Sequence, residues 1–155
     1  MKQKTGKEKD IYFMRMALEE AGIALQEGEI PVGAVLVKDD RIIARAHNRR
    51  EASQDPTGHA EIIALTHGAR ENNTWRLTEA TLYVTKEPCI MCAGAMINAR
   101  LGRLVYGCKD KKGGAVHSLY SLLSDKRLNH QVEVASGVLE EECASLLKSF
   151  FKKHR

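Results

Sequence analysis

Four side chains in this 155-residue chain have the types and spacing to bind a metal ion and use it: His59, Glu61, Cys89 and Cys92. Cys89-Ile90-Met91-Cys92 directly follows Glu87-Pro88, where an apolar strand pattern gives way to a helical one. Proline disfavours helix in the residue before it, so the helix is expected to begin at or just after Pro88, with both cysteines in its first turn. Unpaired backbone N–H groups and the positive end of the helix dipole there favour thiolate over thiol. Residues three apart share a helix face with Cβ atoms about 5–6 Å apart. Two sulfurs bound to tetrahedral zinc at about 2.3 Å lie roughly 3.8 Å from one another, within reach of such a pair. The same C-x-x-C spacing serves redox pairs and buried thiols, but a redox pair wants a thioredoxin-like setting that the rest of the chain does not supply.

Upstream, His59-Ala60-Glu61 offers an imidazole, which with Cys89 and Cys92 makes a three-ligand zinc site whose fourth position is left for water. An open position implies catalysis rather than scaffolding. Two thiolates offset the ion's charge and weaken its acidifying effect on water, so a nearby base becomes useful, and Glu61 is the residue for it. Residues two apart on an ideal helix are about 200° apart, so spacing alone does not bring His59 and Glu61 to one ion. A structural zinc module is the alternative, with Cys108, His67 or His47 closing the tetrahedron and Glu61 left without a role. Cys108 and Cys143 fall in apolar patterns and read as buried small hydrophobes.

The elements that must position these residues can be read from periodicity. Ile11, Met14, Leu18, Ala21 and Leu25 recur at helical spacing behind Asp10, a good N-cap. Val32 to Val37, a Lys38-Asp39-Asp40 turn and Arg41 to His47 read as an antiparallel hairpin, followed by a loop from Asn48 to about Asp55. Asp55-Pro56 looks like a helix start, with the helix running to Asn72-Asn73. Ala80 to Thr85 and Arg103 to Cys108 read as parallel strands joined by a helix from Cys89 to about Arg100. A short helix near Ser118 to Leu123, a fifth strand from Gln131 to Val138 and a last helix from Glu140 to Lys153 complete a three-layer α/β/α domain with a mixed five-stranded sheet. Cys143, Leu146, Leu147 and Phe150 should face inward on that last helix. One domain is expected over residues 1–155, with 1–10 as a flexible basic tail.

Composition excludes disordered, fibrous and membrane-spanning classes: 43% of residues are hydrophobic, 28% are charged, and Gly and Pro number 12 and 3. No secretory signal pattern opens the chain, so a cytoplasmic location with reduced cysteines is expected. The net charge of +4 is concentrated in lysine clusters near both ends and at Lys109, Lys111 and Lys112, a pattern suited to a polyanion as well as to simple solubility.

The H-x-E and P-C-x-x-C motifs together resemble the zinc-dependent nucleobase deaminases. The likeness extends through Glu29-Ile30-Pro31-Val32-Gly33-Ala34, Ala46-His47-Asn48-Arg49, the segment Asp55 to Glu61, Ala80 to Thr85, Cys92 to Ile97 and Ser149-Phe150-Phe151. It implies a cytidine deaminase-like fold, a homodimer, and conversion of the wobble adenosine in the anticodon loop of an arginine tRNA to inosine. It also implies one Zn2+ per subunit on His59, Cys89 and Cys92, and Glu61 carrying a proton from the attacking water to N1 and then to the departing ammonia. Asn48 would hydrogen-bond the flipped nucleoside, Val32, Ala60 and Pro88 would line its pocket, and Lys109, Asp110 and Phe151 would contact RNA. Lys109 stands where the pattern calls for arginine and His117 where it calls for a small residue. A deaminase of a free base, nucleoside or nucleotide, of cytidine, cytosine or guanine type, would share the zinc core and differ in substrate.

Overall fold

The computed structural model describes residues 4–154. Its order is α1 (Gly6–Gln26), β1 (Gly33–Lys38), β2 (Arg41–His47), α2 (Arg50–Ser53), α3 (Ala60–Glu71), β3 (Ala80–Lys86), α4 (Ile90–Asn98), β4 (Arg103–Cys108), a 3-10 turn (Leu122–Ser124), β5 (Glu133–Ser136) and α5 (Glu140–Lys153). The sheet runs β2-β1-β3-β4-β5. β1 pairs antiparallel with β2 and β3, whereas β3, β4 and β5 are parallel. This is the mixed five-stranded sheet with five helices of the cytidine deaminase-like fold.

Side-chain alternation along the strands splits the core in two. Ala34, Leu36, Leu82, Val84, Leu104 and Tyr106 face the layer of α3 and α4. Their neighbours Val35, Val37, Tyr83 and Val105 face α1 and α5. Both faces of β1, β3 and β4 are therefore buried, as expected of strands inside a layered sheet. A bulge between Leu36 and Val37 shifts the register against β2. At Gly33 a Cβ would overlap the Ala17 carbonyl oxygen and Ala21 nitrogen, so glycine lets α1 lie directly on the start of β1.

Several expected boundaries move. α1 begins at Gly6, capped by Thr5, whose hydroxyl accepts from the Glu8 N–H at 3.1 Å. Residues 6–10 are thus helical rather than part of a flexible tail, and Lys2 lies outside the described residues. Asp10 is not a cap: it is buried, accepts the Tyr83 hydroxyl at 2.7 Å and takes two bonds from Arg103 at 2.8 Å. The buried stripe of α1 is Phe13, Met14, Ala17, Ala21 and Ala24, rotated from the expected one, and Ile11, Leu18 and Leu25 are half-buried at its edge. The loop after β2 contains α2, and the helix expected behind Pro56 begins only at Ala60. Asp55 instead accepts from the Thr57 N–H and hydroxyl, an Asx turn that uses up its capping ability. The helix expected over Ser118 to Leu123 is a 3-10 turn at Leu122–Ser124, and β5 is shorter than the alternation suggested. On α5, Cys143 and Phe150 are buried while Leu146 and Leu147 are half-buried. Among the described residues no helix is long and apolar enough to cross a membrane.

Candidate active site

α3 and α4 each deliver a donor from just outside their first turn. His59 is the N-cap of α3, with extended backbone (φ −81°, ψ 147°) and no capping bond from its side chain. Cys89 holds the same place on α4 (φ −77°, ψ 178°). The expectation that both cysteines lie in the first helical turn is therefore corrected: Cys89 precedes the helix and Cys92 lies within it. The extended cap also answers the angular difficulty at His59 and Glu61. Because His59 is not helical, the 200° relation of an ideal helix does not apply, and both side chains reach one space.

The His59 Nδ1 lies 3.6 Å from the Cys89 Sγ and 3.6 Å from the Cys92 Sγ. Zinc bonds of about 2.0–2.1 Å to nitrogen and 2.3 Å to sulfur, at a tetrahedral angle, separate the two donors by roughly 3.6 Å. Among the described residues these three form the group of metal-capable side chains whose donor atoms lie within 4.8 Å of one another. Cys108, His67 and His47 are not in it. His47 is instead bonded to Glu20 and Glu27, at 3.2 and 2.9 Å, and the Cys108 Sγ donates to the Thr85 carbonyl. The donor set fits a three-ligand zinc site with its fourth corner open.

Electrostatics agree with that fit. The hydrogen bond from Cys92 draws the Cys89 thiol down, which favours its thiolate. The same bond, together with burial, pushes Cys92 up, and a bound cation would displace the protons of both sulfurs. His59 is raised, first by its bond to Cys89. Glu61 is 4% exposed in the first turn of α3, and burial pushes its carboxyl above the usual range.

His59, Glu61 and Cys89, with Cys92 buried behind them, open onto a cavity lined also by Ile30, Val32, Asn48, Arg50, Ala60, Lys86, Glu87 and Asp110. Asn48 is buried at the end of β2, and both of its side-chain bonds, to the Ile30 carbonyl and from the Arg50 N–H, are long at 3.4 Å. Its amide therefore keeps hydrogen-bonding capacity for a ligand. Val32, Ala60 and Asp110 line the cavity, whereas Pro88, Lys109 and Phe151 are not among its lining residues. Pro88 is buried and its carbonyl accepts the Ala115 N–H; Lys109 and Phe151 are exposed. Sequence reasoning missed Ile30, Arg50, Lys86 and Glu87. Ile30 had a signal in the Glu29–Ala34 segment and Glu87 in its place directly before the Pro88-Cys89 pair.

The chain belongs to the MafB19-like deaminase family, whose model matches residues 8–155. Among characterised relatives it is similar to the tRNA-specific adenosine deaminase of Bacillus subtilis, at 50% identity over 146 residues, covering 94% of this chain and 91% of the relative. It is also 52% identical to the tRNA-specific adenosine deaminase of Haemophilus influenzae over 153 residues, 98% of this chain and 88% of the relative. A solved structure from work on A-to-I editing by tRNA:A34 deaminases at the wobble position superposes with a TM-score of 0.85. It is 46% identical and covers 88% of this chain and 99% of its own.

Proposed function

We propose that this protein hydrolyses the wobble adenosine of a tRNA to inosine, with Zn2+ held by His59, Cys89 and Cys92 and with Glu61 moving the protons. The observation that carries the chemistry is the buried carboxyl of Glu61 beside a preformed set of one imidazole and two sulfurs, open to a cavity. The choice of substrate follows the relatives, whose names specify adenosine in tRNA and, for the solved structure, position 34.

In the reaction the oxygen of water bonds to C6 of adenine, the C6–N6 bond breaks, and ammonia leaves. The ion, when bound, supplies Lewis acidity toward that water. Glu61 takes one proton from the attacking water and delivers it to N1, then takes the second from the hydroxyl formed on C6 and passes it to the departing amine, so the C6 carbonyl forms as ammonia leaves. A carboxyl whose affinity for a proton is raised by burial suits both duties near neutral pH. Asn48 fixes the nucleoside through its amide, and Val32 and Ala60 give the base an apolar wall. An anticodon loop already presents unstacked bases, so bringing the base into the cavity costs little there. Arg50, Lys86 and Lys109 offer cations toward the flanking phosphates, with Asp110 and Phe151 as further RNA contacts. An arginine tRNA as the isoacceptor, a homodimer and a cytoplasmic setting complete this reading.

The test is incubation with an unmodified anticodon stem-loop bearing adenosine at the wobble position, followed by detection of inosine. Wild type should convert it and Glu61→Ala should not, with zinc content equal in the two. Substantial conversion by Glu61→Ala would remove the mechanism, and conversion of a free nucleobase in place of the stem-loop would remove the substrate.

A further inference from the structure

Glu87 stands between β3 and the Cys89 segment and is 2% exposed, yet it has no part in the chemistry above. Its carboxylate is taken up by a single loop. One oxygen accepts the Asp110 N–H at 3.1 Å and the Ser118 hydroxyl. The other accepts three successive N–H groups, those of Val116, His117 and Ser118, at 3.1, 2.8 and 2.9 Å. With both oxygens so occupied, the group has nothing left for a proton relay or a substrate. The loop has been shaped around it from the other side as well: at Gly114 a Cβ would overlap the Glu87 carboxylate atoms.

The loop so held is a wall of the cavity. Asp110 lines it and pairs with Lys86 at 3.1 Å, and Lys109, Lys111 and Lys112 are exposed on the same segment. The Ala115 N–H also bonds to the Pro88 carbonyl, which ties the loop to the strand-helix junction that carries Cys89. We propose that Glu87 is a positioning residue: it fixes the 109–118 loop against the cavity and so sets how tightly the nucleic acid flanking the reacting base is held. This rests on the reading of the substrate as a tRNA. Glutamine at position 87 would turn an N–H2 group toward backbone N–H donors in either orientation, leaving the Asp110 N–H without an acceptor in one and those of Val116, His117 and Ser118 in the other. The loop would lose its fixed pose while His59, Cys89, Cys92 and Glu61 keep theirs.

The test compares wild type, Glu87→Gln, Gly114→Ala and the double variant, all loaded with zinc. Amide hydrogen exchange at Asp110, Val116, His117 and Ser118 should accelerate at least about tenfold in each variant. KM for the wobble-adenosine stem-loop should rise about tenfold with kcat changed less than about threefold, because a lost binding contact acts on KM. The two substitutions disturb one contact, so the double variant should be little worse than either alone. Unchanged exchange, an unchanged KM, additive effects, or a fall in kcat accompanied by loss of zinc would each overturn the proposal. If Glu87→Gln fails to fold, Gly114→Ala decides by the same readings. Should wild type leave the stem-loop unconverted, the functional reading fails, while the exchange comparison still decides whether Glu87 holds the loop.

Discussion

At the scale of single residues, the molecule uses carboxyl groups in two contrasting ways. Glu61 is buried with its proton affinity raised, which suits transfer, whereas Asp10 is buried but held below the usual range. Burial alone would raise Asp10, but the bonds from Arg103 and Tyr83 outweigh it. Glu61→Gln keeps the shape and removes the proton carrier, so kcat should fall by about 10²–10⁴ with zinc retained, as single-turnover kinetics and metal analysis would show. Asp10 has a lowered folded pKa, so its stabilisation is complete above the unfolded value of 3.8 and is lost as pH falls through the lowered one. Asp10→Asn should cost about 2 kcal/mol at neutral pH and flatten the acid limb of stability measured by urea unfolding. A variant with an unaltered acid limb would show that the Arg103 pair does not carry that dependence.

At the scale of elements, the five strands and the last helix were legible, and the starts of α1 and α3 were not. β2 and α5 fall at Arg41–His47 and Glu140–Lys153, where turn residues and periodicity agreed. The start of α3 was misread because Asp55-Pro56 has the composition of a cap, and only the turn at Thr57 shows that Asp55 is already engaged. The metal-capable trio and Glu61 were readable because their spacing is local to two helix starts. Lys86 and the role of Glu87 were not, because their partners, Asp110 and the Val116–Ser118 segment, come from a distant part of the sequence. Tight layer contacts give this scale its own test. Gly33→Ala drives a methyl group into the backbone of α1 and should destabilise by roughly 2–3 kcal/mol in denaturant unfolding. A neutral effect would mean that α1 can lift from β1 without loss.

At the scale of the whole molecule, charge is sorted by position more than by amount. Arg50 and Lys86 line the cavity, Lys86 paired with Asp110 at 3.1 Å, and Lys109, Lys111 and Lys112 are exposed on the loop that carries Asp110, whereas Lys9 is paired with Asp40 at 2.9 Å, at the hairpin turn. If about three phosphates are neutralised, KM for the stem-loop should rise roughly 20-fold between about 50 and 200 mM salt. A flat response would argue for a small uncharged substrate. Zinc held as proposed would bind only the folded arrangement of α3 and α4, so stripping it with a chelator should lower the thermal midpoint by on the order of 10 °C. An unmoved midpoint would mean that the three donors do not hold it.

The placement of α1 has a practical corollary. Its first turn lies beside the Asp39-Asp40 turn, at the tip of the hairpin, whereas Val32 and Asn48 meet the cavity at the hairpin's open end. A tether, bead or fused cargo attached ahead of Thr5 would thus hang from the pole of the molecule opposite its mouth. Substrate would approach an immobilised molecule unhindered, and turnover per site should match that of the free protein.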